Sequence, residues 1–266
     1  AINFNGTAIS ATAAELNLLD GATSLATSVN GLSDALVEDN SLYLGNDPSS
    51  TTDDAQYNVA IGTTALDVVT TGDQNVAVGY NSLRYNTTGF GNTASGMQSL
   101  YRNTEGDWNT AYGYESLRSN TEGDKNTASG FRSLYSNTTG SFNIASGFNS
   151  LRSNTEGSYN TASGGYSLRY NTEGSYNTAS GYNSLYSNTT GQSNTASGSY
   201  SLYSNTTGSR NTAVGQSALY DANRTADVNA YNTAIGYNAG NSGTNDITTG
   251  QYNVLLGAST AASQAA

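Results

Sequence analysis

The chain has 266 residues with 30 Gly, 20 Tyr, one Pro and a hydrophobic share of 35%, too little apolar matter for one large core. A net charge of −11 argues against nucleic acid or an anionic membrane surface as a partner, and no run approaches the ~18 apolar residues of a membrane span. With neither Cys nor His, disulfides, thiolate or imidazole metal sites and the commonest general base are excluded too.

Residues 1–57 lie outside any repeat. Ala1 stands where Met would, and no signal peptide is visible, so we read a processed product or a piece of something longer. Thr12 and Glu15 have capping-box spacing, and Gly21 would end the short helix they open. Leu25, Val29, Leu32 and Leu36 follow at coiled-coil seam spacing, with Gly31 weakening that run. Two short helices packed on the end of the rod fit the same residues. Asn46 to Ser50 reads as a loop around Pro48.

From Asn58 onward one phrase returns every 17 residues, with consensus N-T-A-S-G-x-x-S-L-x-S-N-T-[TE]-G-x-x, up to Asn211; two steps of 21 then lead to Asn232 and Asn253. The longer steps imply loops within Ala222–Tyr231 and Gly240–Ile247, near the end, where terminal repeats are commonly atypical. A strict period means an array in which each unit packs on its neighbours. Gly at the fifth position (Gly62 to Gly257) and the fifteenth (Gly72 to Gly208) fits two corners per rung, and helical spacing is absent. The expected fold is all-β: a parallel β-solenoid or β-roll over 58–257, about 12 rungs with two short strands each, and a tail at 258–266. At about 4.8 Å per rung the rod would span roughly 55–60 Å.

The recurrent apolar residues are the Ala of N-T-A, Ala60 through Ala234, and the Leu of S-L, Leu66 through Leu219. One Ala and one Leu cannot offset the entropy of ordering a rung, so backbone bonds and Asn and Ser ladders must contribute. That thin core predicts a homotrimer, intertwined or side by side. Leu151 should point inward between Leu134 and Leu168.

Several surface patterns carry candidate chemistry. Arg at position ten tends to accompany Glu at position fourteen, as in Arg118 with Glu122 and Arg152 with Glu156. Either the two meet across a corner or whole units were duplicated together. Glu105, Glu122, Glu156 and Glu173 read as a solvated stripe rather than paired catalytic carboxylates, and no calcium repeat is present. No enzyme, cofactor or metal site is expected. Aromatic residues recur at position six (Tyr80, Tyr114, Phe131, Phe148, Tyr182, Tyr237) and position ten (Tyr101, Tyr135, Tyr186, Tyr203, Tyr220). The second set could contact host-surface glycans, or could simply stack to hold the rod. Thr-Ala-Ser triplets such as Thr161–Ser163 would form a hydroxylated face of the ice-binding kind, interrupted by Tyr112 and Ile144. N-x-T sequons begin at Asn86, Asn137, Asn188, Asn205 and Asn223.

Asn75 to Leu83, N-V-A-V-G-Y-N-S-L, resembles the head repeats of trimeric autotransporter adhesins, whose unit is shorter. Thr12 to Gly21, T-A-A-E-L-N-L-L-D-G, followed by N-T-A-I-G-Y-N-A at Asn232 to Ala239, is similar to phage and marine-virus tail-fibre proteins. The resemblance covers most of the chain, though the self-cleaving chaperone common at the end of such fibres is not visible. It implies a trimeric fibre shaft in a virion, holding a host-binding tip away from the particle. The rival reading is a cell-surface adhesin or extracellular filament whose repeats bind glycans.

Overall fold

The structure, a computed structural model, describes residues 2–4, 7–9, 35–45, 54–222, 230–241 and 251–260. Strands β1 (Ile2–Phe4) and β2 (Thr7–Ile9) pair antiparallel with each other. Strands β3 (Ala35–Glu38) and β4 (Ser41–Leu44) form a second hairpin. Its turn residues, Asp39 and Asn40, both have positive φ (46° and 60°), the backbone that tight hairpins between twisted strands require. Twelve three-residue strands follow, from β5 (Val59–Ile61) to β16 (Val254–Leu256), each parallel to the next in one 14-stranded sheet that begins with the hairpin. The register is one full rung throughout: Ala145 pairs with Ala128 on one side and Ala162 on the other. The molecule is therefore a parallel β-solenoid of about eleven turns with rungs of roughly 17 residues, and no helix occurs among the described residues.

The sheet starts one rung before the first Asn-led repeat. Leu42, Tyr43 and Leu44 pair with Val59, Ala60 and Ile61, and Gly45 stands 17 residues before Gly62. Tyr43 is fully buried in the column that Ala holds in most later rungs. The N-terminal helix and most of the seam lie outside the described residues, as does the Pro48 loop. Leu36, the last seam residue, lies in β3 and is part of a strand.

Each rung carries one strand, not the two expected. Positions two to four are extended, and positions six to eleven form a chain of turns. The reason is backbone conformation. In the rung that begins at Asn143, Asn149, Leu151 and Tyr159 all have positive φ (54°, 48° and 60°), so no second strand can run through them. Non-glycine residues in this region cost roughly 1–3 kcal/mol each, and they persist because the neighbouring rungs hold them. Leu151 N–H donates to Ser167 O at 2.9 Å, and Asn149 N–H donates to Phe131 O at 2.9 Å, so the turn segment is bonded both up and down the rod.

The interior is a set of self-stacking ladders. Ala145 and Leu151 are fully buried, as are their counterparts in the flanking rungs. Asn143 Oδ1 accepts the Asn160 backbone N–H at 3.0 Å, while Asn143 Nδ2 donates to Gly157 O at 2.8 Å. Asn154, at position twelve, donates through Nδ2 to Asn137 Oδ1 at 2.7 Å and to Gly157 O at 2.8 Å. One glycine carbonyl thus receives two side-chain amides, which fills the space a larger apolar core would occupy. A Cβ on the equivalent Gly140 would lie 2.5 Å from Gly157 O and 2.6 Å from Asn137 Oδ1, so this corner admits no side chain. At the other corner Gly130 has φ +137°, a conformation that side-chain-bearing residues rarely adopt. Near position thirteen, the N–H groups of Thr121, Glu122 and Gly123 all donate to Thr138 O, at 3.0 to 3.2 Å.

Candidate functional site

The inward ladders leave positions six, seven, ten and eleven on one outer edge of the rod. Position ten alternates Arg and Tyr over its first half: Arg84, Tyr101, Arg118, Tyr135, Arg152. Successive rungs place these side chains about 5 Å apart, the spacing at which planar groups meet face to face. The Arg118 guanidinium lies 5.2 Å from the Tyr101 ring and 5.7 Å from Tyr135. Tyr135 also receives Arg132 at 5.5 Å and Arg152 at 5.4 Å, so three guanidinium groups converge on one ring. Further along, Tyr186, Tyr203 and Tyr220 stack nearly parallel at 5.0 and 4.9 Å.

This arrangement accounts for the Arg and Tyr choices at position ten without the Glu at position fourteen. Among the described residues, Arg118, Arg152 and Arg169 make no ion pair with Glu122, Glu156 or Glu173. The corner-contact reading is therefore set aside, and duplication of whole units remains. The ion pairs that do form lie on the arginine edge. Arg132 donates to Glu115 Oε2 at 2.6 Å, Arg118 lies 3.4 Å from Glu115 Oε1, and Arg84 lies 3.2 Å from Asp67 Oδ2. The hydrogen bond to the nearly buried Glu115 raises the Arg132 pKa.

Position six forms a second column beside the first. Tyr114, Phe131 and Phe148 stack at 5.3 and 5.1 Å. Where position six shrinks to Gly165 or Ser199, position seven becomes Tyr166 or Tyr200, and those rings take up edge-on contacts with Phe148 and Tyr182. One aromatic ring per rung is thereby kept in this column from Tyr114 to Tyr200. Reading each position separately hid the exchange, because the ring moves one residue along the chain.

Of the five tyrosines singled out for glycan contact, Tyr186, Tyr203 and Tyr220 come together in one stack, Tyr135 sits among arginines, and Tyr101 packs edge-on against Tyr85 at 5.0 Å. All five are half-buried. Stacked rings turn their faces to each other, leaving edges and hydroxyl groups outward. A further aromatic ladder and two isolated rings were missed in the sequence. Position seventeen carries Phe142, Tyr159 and Tyr176, stacked at 4.8 and 5.0 Å. Lys125 Nζ lies between Trp108 and Phe142, 5.1 and 4.9 Å from their rings. Position eleven, usually Ser, carries Tyr85 and Tyr170. An alignment of the units column by column would have found both.

Charge is divided between edges. Six of the nine cations, Arg84, Arg102, Arg118, Arg132, Arg152 and Arg169, occupy positions seven, ten and eleven. The exposed Glu105, Glu122, Glu156 and Glu173 occupy position fourteen, where no arginine or lysine stands in the 17-residue rungs. On the sheet face, Thr178, Ser180, Thr195 and Ser197 are exposed around buried Ala179 and Ala196, with Tyr112 and Ile144 interrupting the hydroxylated columns. The sequon residues Asn86, Asn137, Asn188 and Asn205 are fully buried in the position-twelve ladder, where no glycan could be attached to the folded chain; Asn223 lies outside the described residues. Among the described residues no group of three acidic side chains is placed to hold a metal ion, and no helix is long and apolar enough to cross a membrane.

Comparison with protein families, with curated proteins and with solved structures gives no match to this chain.

Proposed function

We propose that this chain is a structural shaft: a stretch of viral tail fibre that carries a host-binding tip and holds it at a fixed distance. The observation that supports it most is the unbroken register of the interior ladders. Asn143, Asn160, Asn177 and Asn194 repeat the same two bonds at the same lengths, with Oδ1 to the next backbone N–H at 3.0 Å and Nδ2 to a glycine carbonyl at 2.8 Å. Such repetition gives stiffness along an axis and places no interior group apart for chemistry. The tail-fibre assignment itself rests on the resemblance of Thr12–Gly21 and Asn232–Ala239. Peptide mapping of the intact source particle, with antibody labelling under the electron microscope, tests it. Labelling along the fibre between body and tip is expected; labelling confined to the tip, or peptides absent from the particle, would overturn it.

The shaft reading includes a homotrimer. Ala and Leu are already buried within one chain, so the surface and not the core supports it. The outer sheet face exposes Ile61, Val78, Val214 and Ile235 directly beside buried alanines, and a side-by-side neighbour would cover them. Native mass measurement is the test, and a stable folded monomer of 27.5 kDa would contradict it.

A further inference from the structure

The outer edge carries a concavity that its repetition does not explain. A cleft of about 460 Å³ runs across the rungs that begin at Asn58, Asn75, Asn92 and Asn109, lined by Val68, Tyr85, Tyr101 and Arg102 together with Thr87, Thr104 and Thr121. That volume falls in the range of small-molecule sites. Tyr85 and Tyr101 meet edge to face at 79°, and the Tyr85 ring stays 39% exposed although the Arg84 guanidinium lies over it at 5.3 Å. Threonine hydroxyls donate to carbonyls of the next rung, Thr87 to Thr104 O and Thr104 to Thr121 O, both at 3.1 Å.

Arg102 distinguishes this place from the rest of the edge. Arg84, Arg118, Arg132, Arg152 and Arg169 each lie against aromatic rings. Arg102 is exposed, and neither a carboxylate nor a ring engages its guanidinium among the described residues. Neither Asp67, held by Arg84, nor Glu105, which follows Thr104, lines the cleft. The interaction between the neighbouring Tyr85 and Tyr101 hydroxyls lowers the pKa of Tyr101 and raises that of Tyr85.

The chain contains its own comparison five rungs away. Arg169, Tyr170 and Tyr186 repeat the arrangement of Arg84, Tyr85 and Tyr101, with ring centroids again 5.0 Å apart and nearly perpendicular. There the position of Arg102 is held by Ser187. The aromatic frame is thus present twice and the unpaired cation once.

We propose that the Tyr85–Tyr101–Arg102 cleft binds a saccharide carrying a carboxylate, its acid group on Arg102 and its ring against Tyr85. A planar guanidinium suits a carboxylate through two parallel hydrogen bonds. A partly exposed aromatic ring with adjacent hydroxyl groups suits the mixed polar and apolar surface of a sugar ring. This site goes beyond the shaft role and does not depend on it, because a passive shaft can carry one lateral binding point.

Titration of the full chain with sialyllactose, with a glucuronate-containing disaccharide and with neutral lactose tests the assignment. At least one acidic sugar should bind saturably, and which one binds separates a sialic from a uronic acid source. Arg102→Ser should weaken that binding about tenfold or more, and Tyr85→Ser similarly. Both substitutions install the serine that Ser119, Ser136 and Ser153 already hold at this position, so the rod should fold unchanged. Tyr170→Ser should leave binding as it was. Absence of binding to both acidic sugars, or binding indifferent to Arg102→Ser, would overturn the proposal.

Discussion

Position twelve, inside the rung, is Asn in eight successive rungs from Asn86 to Asn205, whereas position ten, outside, is Arg four times and Tyr four times over the same rungs. Both are ladders with the same rise, yet one is invariant and the other exchanges freely. An interior side chain has to satisfy its own copy above and below. Asn carries a donor and an acceptor, so it stacks on itself without leaving a group unpaired, and any change orphans two neighbours. An exterior side chain needs only a flat surface at about 5 Å spacing, and guanidinium and phenol rings both supply one. The ladder's end shows the rule from the other side: position twelve of the next rung is Ala222, and Asn205 Oδ1 is buried without a partner among the described residues.

Substitutions on the two sides should therefore differ sharply. The largest effect is expected for Leu151→Asp, which buries a carboxylate in an apolar strip beside Leu134 and Leu168. We expect a loss of more than about 4 kcal/mol by thermal or denaturant unfolding. Gly140→Ala comes next, at about 3 kcal/mol, because the new methyl would press on the Gly157 carbonyl and the Asn137 amide, both fixed by the ladder. Outside, Tyr203→Ser removes the ring between Tyr186 and Tyr220 and should cost about 1 kcal/mol. Smallest is Glu156→Thr, which copies the residue at Thr139 and Thr190 and should stay within about 0.5 kcal/mol. A Leu151→Asp shift no larger than that of Glu156→Thr would turn this rung inside out.

Much of this division can be read from the sequence, because repetition writes the interior as a consensus. The 17-residue period, the parallel stacking and the inward Ala and Leu all follow from which columns do not vary. Three features do not follow. Leu151 at φ 48° gives no local sign, since leucine is no turn residue and only the stacked neighbours hold it there. The first rung is hidden because Ser41 and Tyr43 replace Asn and Ala. Ser41 Oγ nonetheless accepts the Asn58 N–H at 2.9 Å, as an Asn would in later rungs. The outer edge was legible only in part: Tyr101 and Tyr135 stood out as a column, but their arginine partners were assigned to glutamates on another corner. Sequence spacing gave residue coincidence there, and only the stacking direction shows which neighbour a side chain meets.

The fold rests on the rung as a closed, self-matching unit, and deleting one unit tests that directly. Removing residues 143–159 joins Phe142 to Asn160 and restores every ladder, each Asn, Ala and Leu meeting the copy one rung further on. Removing residues 143–160 takes one residue more and leaves the Asn ladder broken and the joined rung one residue short. Thermal unfolding of the two variants should give a single cooperative transition near that of the parent for the first, and a loss of several kcal/mol for the second. Equal destabilisation of both would mean that the rungs are not interchangeable and that the interior ladders do not carry the fold.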